Sequence, residues 1–362
     1  MKPRVAVLST AKGSAARMLP QHHPFNRPMQ RAEMKRLVFA AALVGTLSLL
    51  FPLLAMAQQR PKVAHVGVLW GGETAFATPY VEAGRRALAD LGYVEGRDLI
   101  AEIRFGERKP GALDTLAADL VERKVDVIIA AGDPAIVAIR RATSTIPIVM
   151  VAAGDPVRAG LAASLARPGG NVTGMTFLTS ELAGKRLELL KEAVPTASRV
   201  AVLWNPDNPG GPPDLQATRA AAESLKVTLQ LFEVRKVADF EPAFKLMANA
   251  RVNAVIALTD PVTANFSGKL IADQALKIRL PLISDLAEFA RTGALLSYGP
   301  SLLAMARRSA VFVDKLLKGA KAADLPIEQP TTFELTINLK TANALGVTIP
   351  QSILIRADEV IR

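Results

Sequence analysis

Runs of apolar, β-branched residues alternate with helix-like segments along residues 63–362 of this chain. Four of these runs end in Asp-Pro or Asn-Pro, and a helix-like pattern follows three of them. An Asp or Asn at a helix N-cap accepts a hydrogen bond from a free helical N–H, and Pro at the first helical position has no N–H to lose. The dipeptides therefore predict strand-to-helix junctions, which lie at Asp133-Pro134, Asp155-Pro156, Asn205-Pro206 and Asp260-Pro261.

The alternation predicts two consecutive series of strands and helices. In the first series, four strands are each followed by a helix, and the fourth helix should run from Pro156 to about Ala166. The second series ends near residue 298, where Ser301 should cap a long amphipathic helix. Repeated strand–helix alternation predicts an α/β fold with parallel sheets flanked by helices. We therefore expect two Rossmann-like lobes, hinged around a central cleft.

Short extended segments near 174–178, 298–300 and 331–335 are expected to cross between the lobes. The first lobe would then comprise residues 62–175 and 299–334, and the second lobe residues 176–298 and 335–362. Two lobes joined by several short crossings predict hinge motion about the cleft. In such folds the carboxyl ends of the strands form the ligand crevice.

The N-terminal part of the chain has the pattern of an export signal. Residues 34–57 read as a basic start, an apolar run from Leu37 to Leu54, and small residues suited to cleavage. An uncleaved membrane anchor is the alternative, since eighteen apolar residues are near the lower limit for a spanning helix. We expect cleavage, with a mature chain that begins at Gln58. Residues 1–33 would be an upstream mis-start or a disordered extension.

Composition excludes several classes of site. The chain has no Cys and three His, so thiolate metal sites, disulfides, a Cys nucleophile and a lipidated Cys are all excluded. His22 and His23 lie in the leader, and His65 lies inside the first strand, where we expect a core residue. Residues 1–57 carry a net charge of +7 of the total +11, which leaves +4 for the body. This mild excess gives no reason to expect a nucleic-acid partner.

Several sequence blocks resemble a known family in the same order along the chain. They are DPVRAGLAASLARPGGNVTGMT at 155–176, VAVLWNPDNPG at 200–210, LLSYGP at 295–300, QPTTFELTINLKTANALGVTIP at 329–350 and the tail ILIRADEVI. These blocks closely resemble the ABC-transporter substrate-binding proteins of the tryptophan/tyrosine-binding type. The resemblance covers essentially all of residues 62–362. It implies a type I periplasmic-binding-protein fold, in which three crossings join two lobes around a ligand cleft.

Candidate ligand-binding residues lie at the predicted strand ends. A carboxylate there could hold a substrate ammonium, and helix N-termini could hold a carboxylate. Asp155 is the first candidate because it opens a family block, and a purely structural capping role is the alternative for each Asp. The two Trp could stack on a planar ligand or pack between the lobes. The full set is Asp155, Asp133, Thr74, Asn205, Asp260, Trp70, Trp204, Asp285 and Tyr298.

We therefore predict an exported solute-binding protein without enzymatic activity, cofactor or metal. It would be a free periplasmic monomer that binds a small ligand, with an amino acid, especially an aromatic one, as the leading candidate. The resemblance implies delivery to an ABC permease driven by a separate ATPase. Two alternatives remain: a ligand-sensing subunit for a membrane receptor, and an enzyme that uses cleft carboxylates.

Overall fold

A computed structural model describes residues 63–107, 111–177, 180–208, 211–264 and 267–362. The predictions for the leader, residues 1–57, lie outside this part of the chain. The described residues belong to one compact unit, Lys62–Arg362. No helix within the described ranges is long and apolar enough to cross a membrane.

Twelve strands and twelve α-helices are found in the described ranges. The strands are β1 Ala64–Trp70, β2 Leu99–Phe105, β3 Val127–Ala131, β4 Ile148–Ala153, β5 Val172–Thr176, β6 Arg199–Trp204, β7 Thr228–Glu233, β8 Ala254–Ala257, β9 Leu282–Ser284, β10 Leu296–Pro300, β11 Phe333–Asn338 and β12 Glu359–Ile361. The helices are α1 Thr74–Asp90, α2 Ala112–Glu122, α3 Asp133–Ala142, α4 Ala183–Ala193, α5 Gly211–Ser224, α6 Phe240–Asn249, α7 Pro261–Ala264, α8 Ser267–Lys277, α9 Ala287–Thr292, α10 Leu302–Leu317, α11 Leu339–Leu345 and α12 Gln351–Leu354.

The strands form two sheets, which confirms the predicted α/β fold class. Sheet 1 has the order β2-β1-β3-β4-β5, and all of its neighbouring strands are parallel. Sheet 2 has the order β12-β11-β10-β9-β8-β6-β7. Its strands are also parallel except for the antiparallel pair β10–β11. Because helices cover both faces of each sheet, the central strands are apolar on both sides, as buried parallel strands require.

Sheet 1 is covered by helices from two distant parts of the sequence. Helices α2 and α3 pack on one face, and α1 packs with α10 on the other. Helix α10 follows β10, a strand of sheet 2, so the chain returns to sheet 1 after completing most of sheet 2. Ser301 caps α10 as predicted, because its hydroxyl accepts a hydrogen bond from the Ala304 N–H.

The chain thus passes between the sheets after β5, after β10 and before β11. The third passage begins with hydrogen bonds that join Glu328 to the end of β5, at Gly174 and Thr176. Glu328 also forms an ion pair with Arg308 of α10. The limits of the two lobes given above remain a prediction, while the strands show which segments belong to which sheet.

The predicted helix from Pro156 to about Ala166 is wrong, because this segment forms turns. The Asp155 carboxylate accepts hydrogen bonds from the N–H groups of Val157 and Arg158, as at a helix start. The helix does not continue, because Gly160 adopts a left-handed φ of 68°. The next two N–H groups, of Leu161 and Ala162, both bond to the Pro156 carbonyl. The Asp-Pro signal was therefore present without the helix it usually begins.

Candidate functional site

A cavity of about 110 Å³ lies between the carboxyl ends of the two sheets. Sheet 1 contributes residues that end or follow β1, β3, β4 and β5, together with Phe76 of α1. Sheet 2 contributes residues that follow β6, β8, β9 and β10. The residues that line the cavity are Trp70, Gly71, Gly72, Phe76, Ala131, Gly132, Asp133, Ala152, Gly154, Phe177, Asn208, Asp214, Thr259, Asp260, Leu286 and Leu302. The position matches the ligand crevice expected for open α/β sheets.

Aromatic side chains form the apolar wall of the cavity. The Trp70 ring stacks on Tyr80 with 5.6 Å between centroids and 11° between planes. Phe76 packs against both rings at a tilt, and Phe177 lines the cavity where the chain leaves sheet 1. Aromatic rings that pack against one another in this way give a flat surface for an apolar or planar ligand group.

Asp133 is a half-buried carboxylate at the rim of the first sheet. Its Oδ1 accepts a hydrogen bond from the Gly154 N–H at 2.9 Å, and burial raises the pKa of the carboxyl. The predicted N-cap role of Asp133 is wrong, since Gly132 is the N-cap of α3 and Asp133 is already its first helical residue. The Asp133 side chain instead reaches across the strand ends to the Gly154 N–H.

The backbone is distorted at the end of β4, just before Gly154. The pairing of β4 with β5 shifts register between Met150 and Ala153. Ala152 has a φ of 55°, in the left-handed region that non-glycine residues rarely adopt. Such strain is characteristic of functional sites, where the surrounding structure maintains it.

Asp260 is the corresponding carboxylate of the second sheet. Its Oδ1 accepts a hydrogen bond from the Thr263 N–H at 2.7 Å, so the predicted capping role is confirmed. Its Oδ2 accepts a hydrogen bond from the Asn205 side chain, which links two of the predicted junctions. Burial raises the pKa of Asp260, and these hydrogen bonds oppose the rise. Asn205 does not line the cavity, and it is linked to the cavity through its hydrogen bond to Asp260.

Asp285 lies behind the cavity wall, outside the lining. Its carboxylate pairs with Arg186 of α4 at 3.5 Å, and both side chains are 2% exposed. The Thr259 hydroxyl, which belongs to a lining residue, donates a hydrogen bond to the same carboxylate. Asp285 therefore holds the wall in place. Its partner Arg186 could not be predicted from the sequence, because it is one of several arginines in helical patterns.

The other candidates lie outside the lining. Asp155 is exposed and holds its own turn. Thr74 is exposed and donates its hydroxyl to Glu107. Trp204 packs against Gly211, and Tyr298 lies on β10 beside Phe333, with 6.4 Å between centroids. These placements describe the present conformation of the cleft, and a ligand role for each remains a prediction.

Several lining residues were missed from the sequence. Asp214 is buried in the first turn of α5, and Thr259 directly precedes the predicted junction at Asp260. Phe76 and Phe177 were missed because a lone aromatic residue in a helix or a crossing is usually a core residue. The position of Thr259 beside a junction is the one sequence signal that could have identified it.

A larger cavity of about 320 Å³ lies in sheet 1's half of the molecule, beneath α1. Its lining comes from sheet 1, α1, α10 and the loop that follows α1, and aliphatic residues form much of it. We assign the ligand site to the cleft, because only there do both sheets contribute and several polar groups converge. Across the described residues, no group of three or more His, Asp or Glu is placed to hold a metal ion. His65, which was expected to be a core residue, lies in β1 and is half-buried.

Two α/β lobes whose strand ends enclose one cavity define the class of periplasmic-binding-protein-like solute receptors. Residues 80–361 match the family model described as "ABC transporter substrate binding protein". The chain therefore belongs to the ABC transporter substrate-binding protein family, which confirms the resemblance stated above.

Individual relatives agree with this assignment. A protein of Clostridioides difficile (strain R20291) named "Tyrosine-binding protein" is 26% identical over 262 residues, which cover 72% of this chain and 75% of the relative. A conserved domain protein from Vibrio cholerae is 27% identical, with a TM-score of 0.78 over 83% of this chain and 100% of that one. An ABC domain from Streptococcus pneumonia, solved in complex with L-Trp, is 26% identical, with a TM-score of 0.77 over 82% of this chain and 99% of that one.

Proposed function

We propose that this protein binds a small ligand with an ammonium group in the cleft, and that amino acids, aromatic ones first, are the leading class. The observation that carries the proposal is a pair of carboxylates on the same cavity, the half-buried Asp133 from the first sheet and the buried Asp260 from the second. A carboxylate is the natural partner of an ammonium group. The aromatic wall supplies a surface for an apolar side chain. The names of two relatives, which refer to tyrosine and to L-Trp, support the same ligand class.

Ligand binding would favour a closed arrangement of the lobes. A ligand shifts a conformational equilibrium only by as much as it binds one state better than the other. Because residues from both sheets line the cavity, a ligand makes its full set of contacts only when the strand ends approach each other. No chemical step is required for this function, and we propose none.

The closed form would deliver its ligand to an ABC permease in the membrane, which a separate ATPase drives. Membership of the family supports this role, and the predicted export signal supports a periplasmic location. The absence of any Cys in the chain means that lipidation of a cysteine cannot tether it. We therefore propose a protein that moves freely in the periplasm.

The test is native mass spectrometry of the protein purified without denaturation, followed by calorimetric titration of any small molecule that it releases. A ligand that rebinds in a one-to-one ratio and unchanged supports the proposal. Conversion of the ligand to a product would favour an enzyme instead. A protein that is empty and binds none of a panel of amino acids and related amines would contradict the proposal.

Tryptophan fluorescence shows whether the cleft is the site of binding. The chain has two Trp, of which Trp70 lines the cavity and Trp204 does not. We expect ligand to change the emission of the Trp204→Phe variant about as much as that of the unmodified protein. In the Trp70→Phe variant most of this change should be lost. The reverse pattern would place the ligand elsewhere.

A further inference from the structure

The larger cavity, beneath α1, is a space inside the first lobe that the packing leaves open. Its volume of about 320 Å³ is in the range of small-molecule sites in proteins. Ile129 lies on β3, an interior strand of sheet 1, and it lines this cavity and is only half-buried. Protein cores rarely contain voids much larger than a water molecule. A cavity of this size beside an interior strand is therefore a specific feature of the lobe.

The close packing of two helices accounts for the space. Helix α1 approaches α10 at Gly84, where a Cβ would lie 3.4 Å from the Ala306 carbonyl oxygen. On the edge strand β2, Ala101 and Ile103 line the cavity and are half-buried. Helix α1 thus packs against α10, and the gap lies between α1 and the edge of sheet 1.

The cavity is long and narrow. Helix α1 lines it from Tyr80 to Ala89, a length of about 13 Å in an α-helix. Strand β1 lines it from Val66 to Trp70, again about 13 Å. The stacked rings of Trp70 and Tyr80 stand at one end, and Trp70 also lines the cleft. One tryptophan ring is therefore shared by the two cavities.

The uncharged polar groups of the lining already have partners within the protein. The Ser309 hydroxyl donates a hydrogen bond to the Ala306 carbonyl at 2.7 Å, and the Tyr93 hydroxyl donates one to Asp314 at 3.0 Å. Among the buried side-chain atoms of the described ranges that lack a hydrogen-bond partner, none belongs to this lining. Apolar cavities without unsatisfied polar groups stay dry and accept apolar molecules.

The charged groups of the lining balance one another. They are two acids, Glu82 and Glu95, and two bases, Arg85 and Arg86. Arg85 forms ion pairs with both acids, and these three side chains are 40–43% exposed. Arg86 is also exposed. The charges therefore lie at the mouth, in contact with water, and they give the interior no preference for a charged ligand.

We propose that this cavity is a second ligand site, for a small uncharged molecule with a narrow, unbranched apolar body. The body would lie along α1 and end against the stacked rings of Trp70 and Tyr80. Filling the space would remove the destabilisation that an empty apolar cavity causes, which grows with its volume. The site is separate from the amino-acid site in the cleft and does not depend on it.

The test titrates 1-hexanol and 1-octanol into the Trp204→Phe variant, purified without denaturation, in which Trp70 is the sole tryptophan. We expect a saturable change of Trp70 emission, with one molecule bound per chain. Burying one methylene is worth about 0.8 kcal/mol, a factor of about four, so 1-octanol should bind about fifteenfold more tightly than 1-hexanol. Octanoate and octylamine should bind no more tightly than 1-octanol, because the charges at the mouth cancel.

Variants that fill the cavity locate the site. Ala101→Phe places a ring in the cavity and should abolish the binding of 1-octanol, while Ala101→Leu should weaken it at least tenfold. The matched control is Ala118→Phe, at an exposed position of α2 on the opposite face of sheet 1, which should bind 1-octanol as before. If Ala101→Phe does not fold, Ala101→Leu decides.

Three results would overturn the inference. The first is the lack of saturable binding of either alcohol. The second is binding that the Ala101 variants leave unchanged, since the alcohol would then occupy the cleft or another surface. The third is tighter binding of octanoate or octylamine, which would contradict an uncharged ligand. None of these results bears on the amino-acid site, which native mass spectrometry and amino-acid titration test separately, and failure of that test would leave this second site standing.

Discussion

Replacing Asp285 by Asn should destabilise the protein more than any other single change of charge that we consider. The Asp285 carboxylate and the Arg186 guanidinium are each 2% exposed and lie 3.5 Å apart. The carboxylate also accepts hydrogen bonds from the hydroxyls of Thr259 and Ser284. Asn preserves the shape and some of these bonds, and it removes the charge that opposes Arg186.

The expected loss of stability follows from the burial of this ion pair. Arginine stays protonated in proteins, so the variant would leave the buried Arg186 cation without the Asp285 charge that opposes it. Removing one partner of a buried pair typically costs about 3–5 kcal/mol. The same Asp-to-Asn change at Asp273, whose pair with Lys269 is 56–69% exposed, should cost less than about 0.5 kcal/mol. Both variants replace an ion-paired Asp by Asn, and they differ in how deeply the ion pair is buried.

The assay is unfolding in guanidinium chloride, followed by far-UV circular dichroism at pH 7, for both variants and for the unmodified protein. The double variant Arg186→Met/Asp285→Asn should recover part of the lost stability, because it also removes the buried cation. A loss below about 1 kcal/mol in Asp285→Asn would refute the reasoning. Burial raises the pKa of Asp285, and Arg186 opposes the rise. A small loss would mean that burial prevails and that the carboxyl is already neutral, so that Asn replaces it almost without change.

Three further changes test the hinge, the contact between lobes and the site. A Cβ at Gly299 would lie 2.0 Å from a backbone carbonyl oxygen. Gly299→Ala should therefore lower the free energy of unfolding by about 1–3 kcal/mol, measured in thermal or chemical unfolding. A Cβ at Gly170 would meet no heavy atom within 4 Å, so the control Gly170→Ala should leave stability unchanged. Burial raises the pKa of the Tyr80 phenol of α1, and Glu288 of α9 raises it further. Tyr80→Phe should weaken ligand binding several-fold in titrations, while Tyr93→Phe, which loses a hydrogen bond to a neighbouring helix of the same lobe, should not. Because burial raises the pKa of both cleft carboxylates, Asp133 and Asp260, they take up protons at higher pH than exposed aspartates. The affinity for an amino-acid ligand should therefore fall as the pH is lowered, and an affinity that stays constant until exposed aspartates titrate would contradict their ionised role. The same raised pKa values mean that these two groups favour folding at pH values below their unfolded pKa, and that this contribution is lost as the pH rises through their folded pKa.

Sequence pattern predicted the fold well, because the fold depends on local signals that repeat. Each central strand is a short apolar run, and each is followed by a segment of helical period, so that alternation alone predicts parallel sheets. The pattern failed after Asp155, where the capping hydrogen bonds form and Gly160 then ends the turn. An Asp-Pro dipeptide indicates that a free N–H group is capped, but it does not predict how many helical residues follow.

The site was harder to predict because four similar acids have four different environments. Asp155 caps an exposed turn, Asp133 reaches the backbone of a neighbouring strand end, and Asp260 caps its own helix beside the cavity. Asp285 pairs with a helix that lies about a hundred residues earlier in the chain. Local sequence is nearly the same at the first two of these positions, where the pentapeptide AAGDP occurs twice. What distinguishes them is the strand order and the element that covers each strand end, and both are tertiary properties.

The placement of like charges on opposite sides of the cleft has a consequence for closure. If the strand ends approach each other without a ligand, Asp133 should come closer to Asp260, and repulsion between the ionised carboxylates should oppose the approach. The ammonium group of a ligand bound between these two carboxylates would reduce this repulsion when the ligand fills the cavity. Charge would then do more than select the ligand. It would also keep the empty protein open, so that the permease would encounter few closed receptors that carry nothing.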